Sequence, residues 1–101
     1  MPSHRVLYVG ADLALLERLT GALKDCRVVR SPCGVARTLI ESAINYSLLI
    51  FDGELMGLAD FARSLPHRQH TPALILPADR ADYAEVLTTV FCLLARQGRR
   101  T

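Results

Sequence analysis

Asp52 ends the apolar run Leu48-Leu-Ile-Phe51 and is followed at once by Gly53 and a second acid, Glu54. A carboxylate delivered at the end of a strand sits where open α/β sheets gather their ligands, at the carboxyl edge. Phosphoryl acceptance, cation binding and ligand contact are the chemistries open to it. Its bland role would be to accept backbone N–H bonds from the loop around Gly53. Few other groups are placed to share the work. Asp12 precedes an apolar helical repeat and reads as a helix N-cap. His67 and His70 match no zinc spacing, and the cysteines lie far from them in sequence. Gly10-Ala-Asp12 lacks the glycine pattern of a dinucleotide site. No Ser/His/Asp or Cys/His arrangement has supporting context, so the chain is not expected to be an enzyme.

Composition narrows the classes further. At 101 residues, the chain makes one domain, 1–101, with room for one modest core. Half of the residues are apolar, too many for disorder. A formal charge of +2 is too small to mark a nucleic-acid binder, and much of the basic excess lies in Arg96, Arg99 and Arg100. Residues 98–101 are expected to be a disordered basic tail. No apolar stretch approaches a membrane span and no signal peptide opens the sequence. Cys26, Cys33 and Cys92 are odd in number and sit in or beside apolar runs, as thiols of a reducing compartment do. A cytoplasmic location is expected.

The elements that must position Asp52 are legible from period and punctuation. Val6-Leu-Tyr-Val9 is a strand stopped by Gly10. Leu15, Leu16, Leu19, Ala22 and Leu23 recur at helical spacing after Asp12. Arg27-Val-Val-Arg30 is a second strand. Ser31-Pro32 opens a helix carrying Val35, Ala36, Leu39, Ile40 and Ala43 on one face. Leu48-Leu-Ile-Phe51 is continuously apolar, as a strand covered on both faces should be. Leu58, Phe61, Ala62 and Leu65 make a short helix that Pro66 stops, and a polar loop from His67 to Thr71 follows. Pro72-Ala-Leu-Ile-Leu76 is a fourth strand closed by Pro77. Tyr83, Val86, Leu87, Val90, Phe91 and Leu94 then give the clearest amphipathic helix. Strands alternating with helices predict a (βα)4 unit with a parallel sheet and helices on both faces.

In that order the segments resemble the receiver domain of bacterial two-component response regulators, over about Arg5 to Ala78. Val6-Leu-Tyr-Val9 with Asp12-Leu-Ala-Leu-Leu16 is similar to a receiver's first strand and helix. Val28-Val-Arg-Ser-Pro-Cys-Gly34 is similar to its second strand and turn. Leu48-Leu-Ile-Phe-Asp52-Gly-Glu-Leu-Met-Gly57 resembles the phosphoacceptor segment, with Asp52 in the acceptor place. Thr71-Pro-Ala-Leu-Ile-Leu76 resembles the fourth strand, with Ala78 as the small residue that follows it. The resemblance implies a CheY-like, flavodoxin-like three-layer sandwich, here shortened to four strands in the order 2-1-3-4.

Departures from the family pattern reshape the function it implies. The two acids that hold Mg²⁺ in a receiver are replaced by Gly10 and Ala11, which offer no side-chain oxygen. Pro77 replaces the hydroxyl residue at the end of the fourth strand. The only lysine, Lys24, cannot supply the family's fifth-strand lysine. Phosphoryl transfer needs such charges neutralised, and each lost contact costs about 3 kcal/mol. The expectation is therefore a pseudo-receiver with no cofactor, signalling through a protein partner in trans, a histidine kinase or a downstream effector. The alternative is a working phosphoacceptor, with Mg²⁺ and Asp52 in an unconventional arrangement. Without a fifth strand the fourth becomes a sheet edge, where Leu74, Leu76, Leu87, Phe91 and Leu94 are candidates for a homodimer or partner surface. Pro72 and Pro77 bracket that strand and limit strand addition.

Overall fold

Strand and helix alternate along the chain as β1 (His4–Val9), α1 (Leu13–Ala22), β2 (Cys26–Ser31), α2 (Cys33–Glu41), β3 (Leu48–Asp52), α3 (Leu58–Ser64), β4 (Ala73–Leu76) and α4 (Tyr83–Gly98), with a 3-10 turn at Pro66–Arg68. The structure, a computed structural model, describes residues 4–24, 26–53, 57–76 and 83–98. All the strand pairs are parallel and the order is β2-β1-β3-β4. This is a four-stranded, flavodoxin-like (βα)4 sheet. Gly98 is the last residue of α4 rather than the first of a tail; residues 99–101 lie outside the described residues.

The strand order decides which face each helix covers. β2 lies on one side of β1, while β3 and β4 lie on the other. Right-handed crossovers therefore place α1 on one face and α2 and α3 on the opposite face. α4 follows the last described strand and packs beside α1.

Side-chain alternation along the strands feeds two cores. Val6, Tyr8, Leu48, Ile50 and Leu76 point into one, with Leu15 and Leu19 of α1 and Val86, Val90 and Leu94 of α4. Leu7, Val9, Leu49 and Phe51 point into the other, with Ala36, Ile40, Leu58, Ala59 and Ala62. The central strands β1 and β3 are buried on both faces, which is why their sequences are continuous apolar runs. Ala36 and Ile40 of α2 are buried; Val35 is exposed, and Ala43 lies beyond the helix end.

The segment read as a polar loop after Pro66 holds a buried cation. Arg68 is only 2% exposed. Its Nε donates to the Ile40 carbonyl at 2.9 Å, and Nη2 donates to the carbonyls of Ser42 at 3.0 Å and Ile44 at 2.6 Å. α2 ends at Glu41, so these oxygens belong to its last turn and the chain just past it. Carbonyls there lack intrahelical partners and lie at the negative end of the helix dipole. The guanidinium also stacks 5.0 Å from the centre of the Tyr46 ring. Burial pulls its pKa below the ordinary value, which the charge interaction with Tyr46 partly offsets, yet an arginine remains a cation. His67 Nε2 reaches the same Ser42 carbonyl at 3.1 Å. The α3–β4 connection thereby clamps the α2–β3 connection.

Arg68→Met, which keeps the aliphatic stem but removes the donors, should lower stability by about 2–4 kcal/mol. Arg68→Lys should recover less than half of that, since it lacks the planar fork. Urea unfolding of the three proteins checks this. A loss below about 0.5 kcal/mol in Arg68→Met would mean that the buried cation is dispensable.

Candidate functional site at the carboxyl edge

β3 ends on Asp52, which is partly buried and in register with Leu76 of β4. The chain turns sharply there: Gly53 N–H returns to the Phe51 carbonyl at 3.1 Å, and Gly53 has φ +88°. That left-handed conformation is one only glycine adopts at little cost. The described partner of the Asp52 carboxylate comes from the neighbouring strand. Tyr8 Oη donates to Asp52 Oδ2 at 3.1 Å and accepts the Asp12 backbone N–H at 3.1 Å. Tyr8 has no exposed surface. Its ring lies in the α1/α4 core and its hydroxyl ends between the last residues of β1 and β3. A buried phenol needs such a polar terminus to its path.

The same geometry explains Gly10. A Cβ at position 10 would stand 2.6 Å from Tyr8 Oη, 2.7 Å from Asp52 Cβ and 2.8 Å from Tyr8 Cζ. No side chain fits there unless the phenol or the end of β3 moves. The space a side chain at position 10 would take is thus filled by the tyrosine two residues earlier. Gly10 is the consequence of that packing.

Asp12 is the N-cap of α1, as its sequence position implies. Its Oδ1 accepts Leu15 N–H at 3.1 Å. Its Oδ2 accepts the Tyr83 hydroxyl at 2.8 Å, so the cap of α1 also fastens the first residue of α4. The Arg18 guanidinium lies over the Tyr83 ring at 5.0 Å. On the β2 side, Arg30 Nε donates to the Gly10 carbonyl at 2.9 Å. Ala11 is exposed. Glu54, Pro77 and Ala78 lie outside the described residues.

Two carboxylates thus each receive a tyrosine hydroxyl, and together they form a latch across β1, β3, α1 and α4. The Tyr8 pKa is pushed up from 10.0 to about 12, first by burial and then by Asp52, whose charge and hydrogen bond both favour the neutral phenol. The Asp12 N–H acts against that shift and its carboxylate charge adds to it. At neutral pH the phenol stays protonated, far from the range where a general acid or base works well. Among the described residues no group of three His, Cys, Asp or Glu side chains is placed to hold a metal ion.

The residues proposed as an interface separate. Leu76 and Leu94 are in the α1/α4 core, and Leu74 and Leu87 are packed partly against it. Phe91 alone of that set is largely exposed, at 49%. The amphipathic stripe of α4 is spent mostly on the sheet, which is the correction to a surface built on Leu76 and Leu94. Tyr8, Tyr83 and Arg68 are the residues that sequence reasoning passed over. A tyrosine in an aliphatic strand, on the same face as the glycine two residues later, was the available signal for the first.

Fold and site together define a four-stranded parallel α/β sandwich with a tyrosine-bound aspartate at its carboxyl edge. Compared with family models, curated proteins and solved structures, the chain returns no match. Among the described residues, no helix is long and apolar enough to cross a membrane.

Tyr8 links the latch to pH. An unfolded tyrosine releases its proton near the ordinary value of 10.0, whereas folded Tyr8 holds it to about 12. The unfolded state therefore binds fewer protons above pH 10, and stability falls as pH rises. The contribution is complete below about pH 10 and is lost by about pH 12, a span worth on the order of 2 kcal/mol. Urea midpoints measured across that range should drop more steeply for the natural protein than for Tyr8→Phe. Parallel profiles would show that the phenol is not held in its neutral form.

Proposed function

We propose that this chain is an atypical, receiver-like signalling module that acts by binding a protein partner in trans, without efficient Mg²⁺-dependent phosphorylation of Asp52. Its partner under this reading is a histidine kinase or a downstream effector of a two-component or phosphorelay system, and its place is the cytoplasm. The observation that carries the reading is the Tyr8–Asp52 contact with Gly10 closed beneath it. The fold supports it by putting Asp52 at the end of the third strand, where the order β2-β1-β3-β4 gathers the strand ends. A phosphoryl group entering at Asp52 Oδ2 would break its hydrogen bond to a buried phenol. Its added charge would need neutralising, and Gly10 and Ala11 offer no cation ligand.

The competing reading keeps Asp52 as a phosphoacceptor, favoured by its partial exposure at a strand end. Beryllofluoride with Mg²⁺, which mimics an aspartyl phosphate, separates the two. Amide NMR spectra of the natural chain should show no saturable shifts at Asp52 and Gly53 on titration. Saturable shifts that vanish in Asp52→Ala would overturn the proposal in favour of the phosphoacceptor.

A further inference from the structure

The two edges of the sheet are built differently. β2 carries Arg27 and Arg30, both exposed, and charged side chains on an edge strand discourage pairing with another chain. β4 is Ala73-Leu-Ile-Leu76 and carries no charge. The direction of its backbone groups follows from the ladder. Leu49, in register with Ala73, donates its N–H to the Pro72 carbonyl at 3.0 Å. Residues that bond to a given neighbour alternate along a strand, so Leu74 also turns its N–H and C=O toward β3. Ala73 and Ile75 turn theirs outward. Among the described residues no strand pairs with that side.

Two outward residues separated by one make this edge self-complementary about a two-fold axis through Leu74. In an antiparallel pairing on that axis, Ala73 faces Ile75 of a second copy and Ile75 faces its Ala73. Each facing pair exchanges both N–H···O bonds, and every outward backbone group of Ala73 and Ile75 is satisfied. The side chains agree with the backbone. Ile75 is 38% exposed, and the axis sets it beside the small Ala73 of the second copy on the α2/α3 face. Leu74, partly buried on the other face, meets its own copy.

We infer that β4 is a homodimer edge, at which two copies of this chain join their sheets antiparallel through Ala73 and Ile75. The symmetry is closed, so the contact makes a dimer and not a filament. A strand this short buries less than a standard interface, so the dimer is weak and reversible.

Sedimentation of the full chain over a wide concentration range, with amide exchange by NMR at each end of it, tests this inference. The mass should rise from monomer to dimer with concentration. The Ala73 and Ile75 amides should become protected in step, while Leu74 and Leu76, already turned to β3, should not change. Ile75→Lys should stay folded, since the position is exposed at the edge, and should remain a monomer at every concentration. Phe91→Lys, on α4, should dimerise like the natural chain. A chain that stays monomeric at millimolar concentration would overturn the inference. So would a dimer whose Ala73 and Ile75 amides exchange as fast as in the monomer, or one that Phe91→Lys abolishes and Ile75→Lys spares.

Discussion

The phenol of Tyr8 stands between the ends of the two central strands, and the carboxyl edge is arranged around it. Its hydroxyl gives a hydrogen bond to Asp52 on β3 and takes one from the backbone where α1 begins. Because the ring is wholly buried, it needs both partners to enter the core without an unpaired polar atom. Its bulk removes the room for any side chain at position 10, so glycine must follow β1. Asp12 continues the chain of contacts, capping α1 with one oxygen and receiving Tyr83 of α4 with the other. One edge-to-edge polar network thus fastens β1, β3, α1 and α4 together. The functional reading depends on the same network, since the group that would accept a phosphoryl is one of its members.

A second polar anchor holds the opposite end of the molecule. Arg68 is buried against the carbonyls past α2, with Tyr46 beneath it. The ion pair of Arg63 with Asp60 lies on the surface, and exposed pairs of that kind contribute little. Arg68 is compensated instead by backbone oxygens and a helix end. A domain of this size has a modest core, so two such anchors, one at each end of the strands, matter to how uniquely the layers are fixed.

Much of the architecture was legible because it is written in hydrophobic period. The continuous runs at Val6–Val9 and Leu48–Phe51 gave the buried central strands, and the helical spacing from Tyr83 gave α4. Asp12 was recognisable as a cap by its type and place. What the sequence did not disclose depends on contacts between distant residues. Nothing near Arg68 in sequence marks it as buried, because its partners lie 24 to 28 positions earlier. The link from Tyr8 to Asp52 spans 44 positions, so Tyr8 passed as one more strand residue. Gly10 was legible as the stop after β1, but the cause, a phenol in the space, needed the fold. The stripe on α4 pointed first to the sheet and second to a partner, and packing places Leu94 in the core.

A double-mutant cycle on Tyr8→Phe and Asp52→Ala measures the contact on which the account rests. Each single variant and the pair would be unfolded in urea at neutral pH, where the phenol is protonated and the hydrogen bond intact. A coupling of about 1–2 kcal/mol is the result expected for a hydrogen bond to a carboxylate at a partly buried site. Effects that simply add would contradict the account, for they would show that Tyr8 and Asp52 do not stabilise one another.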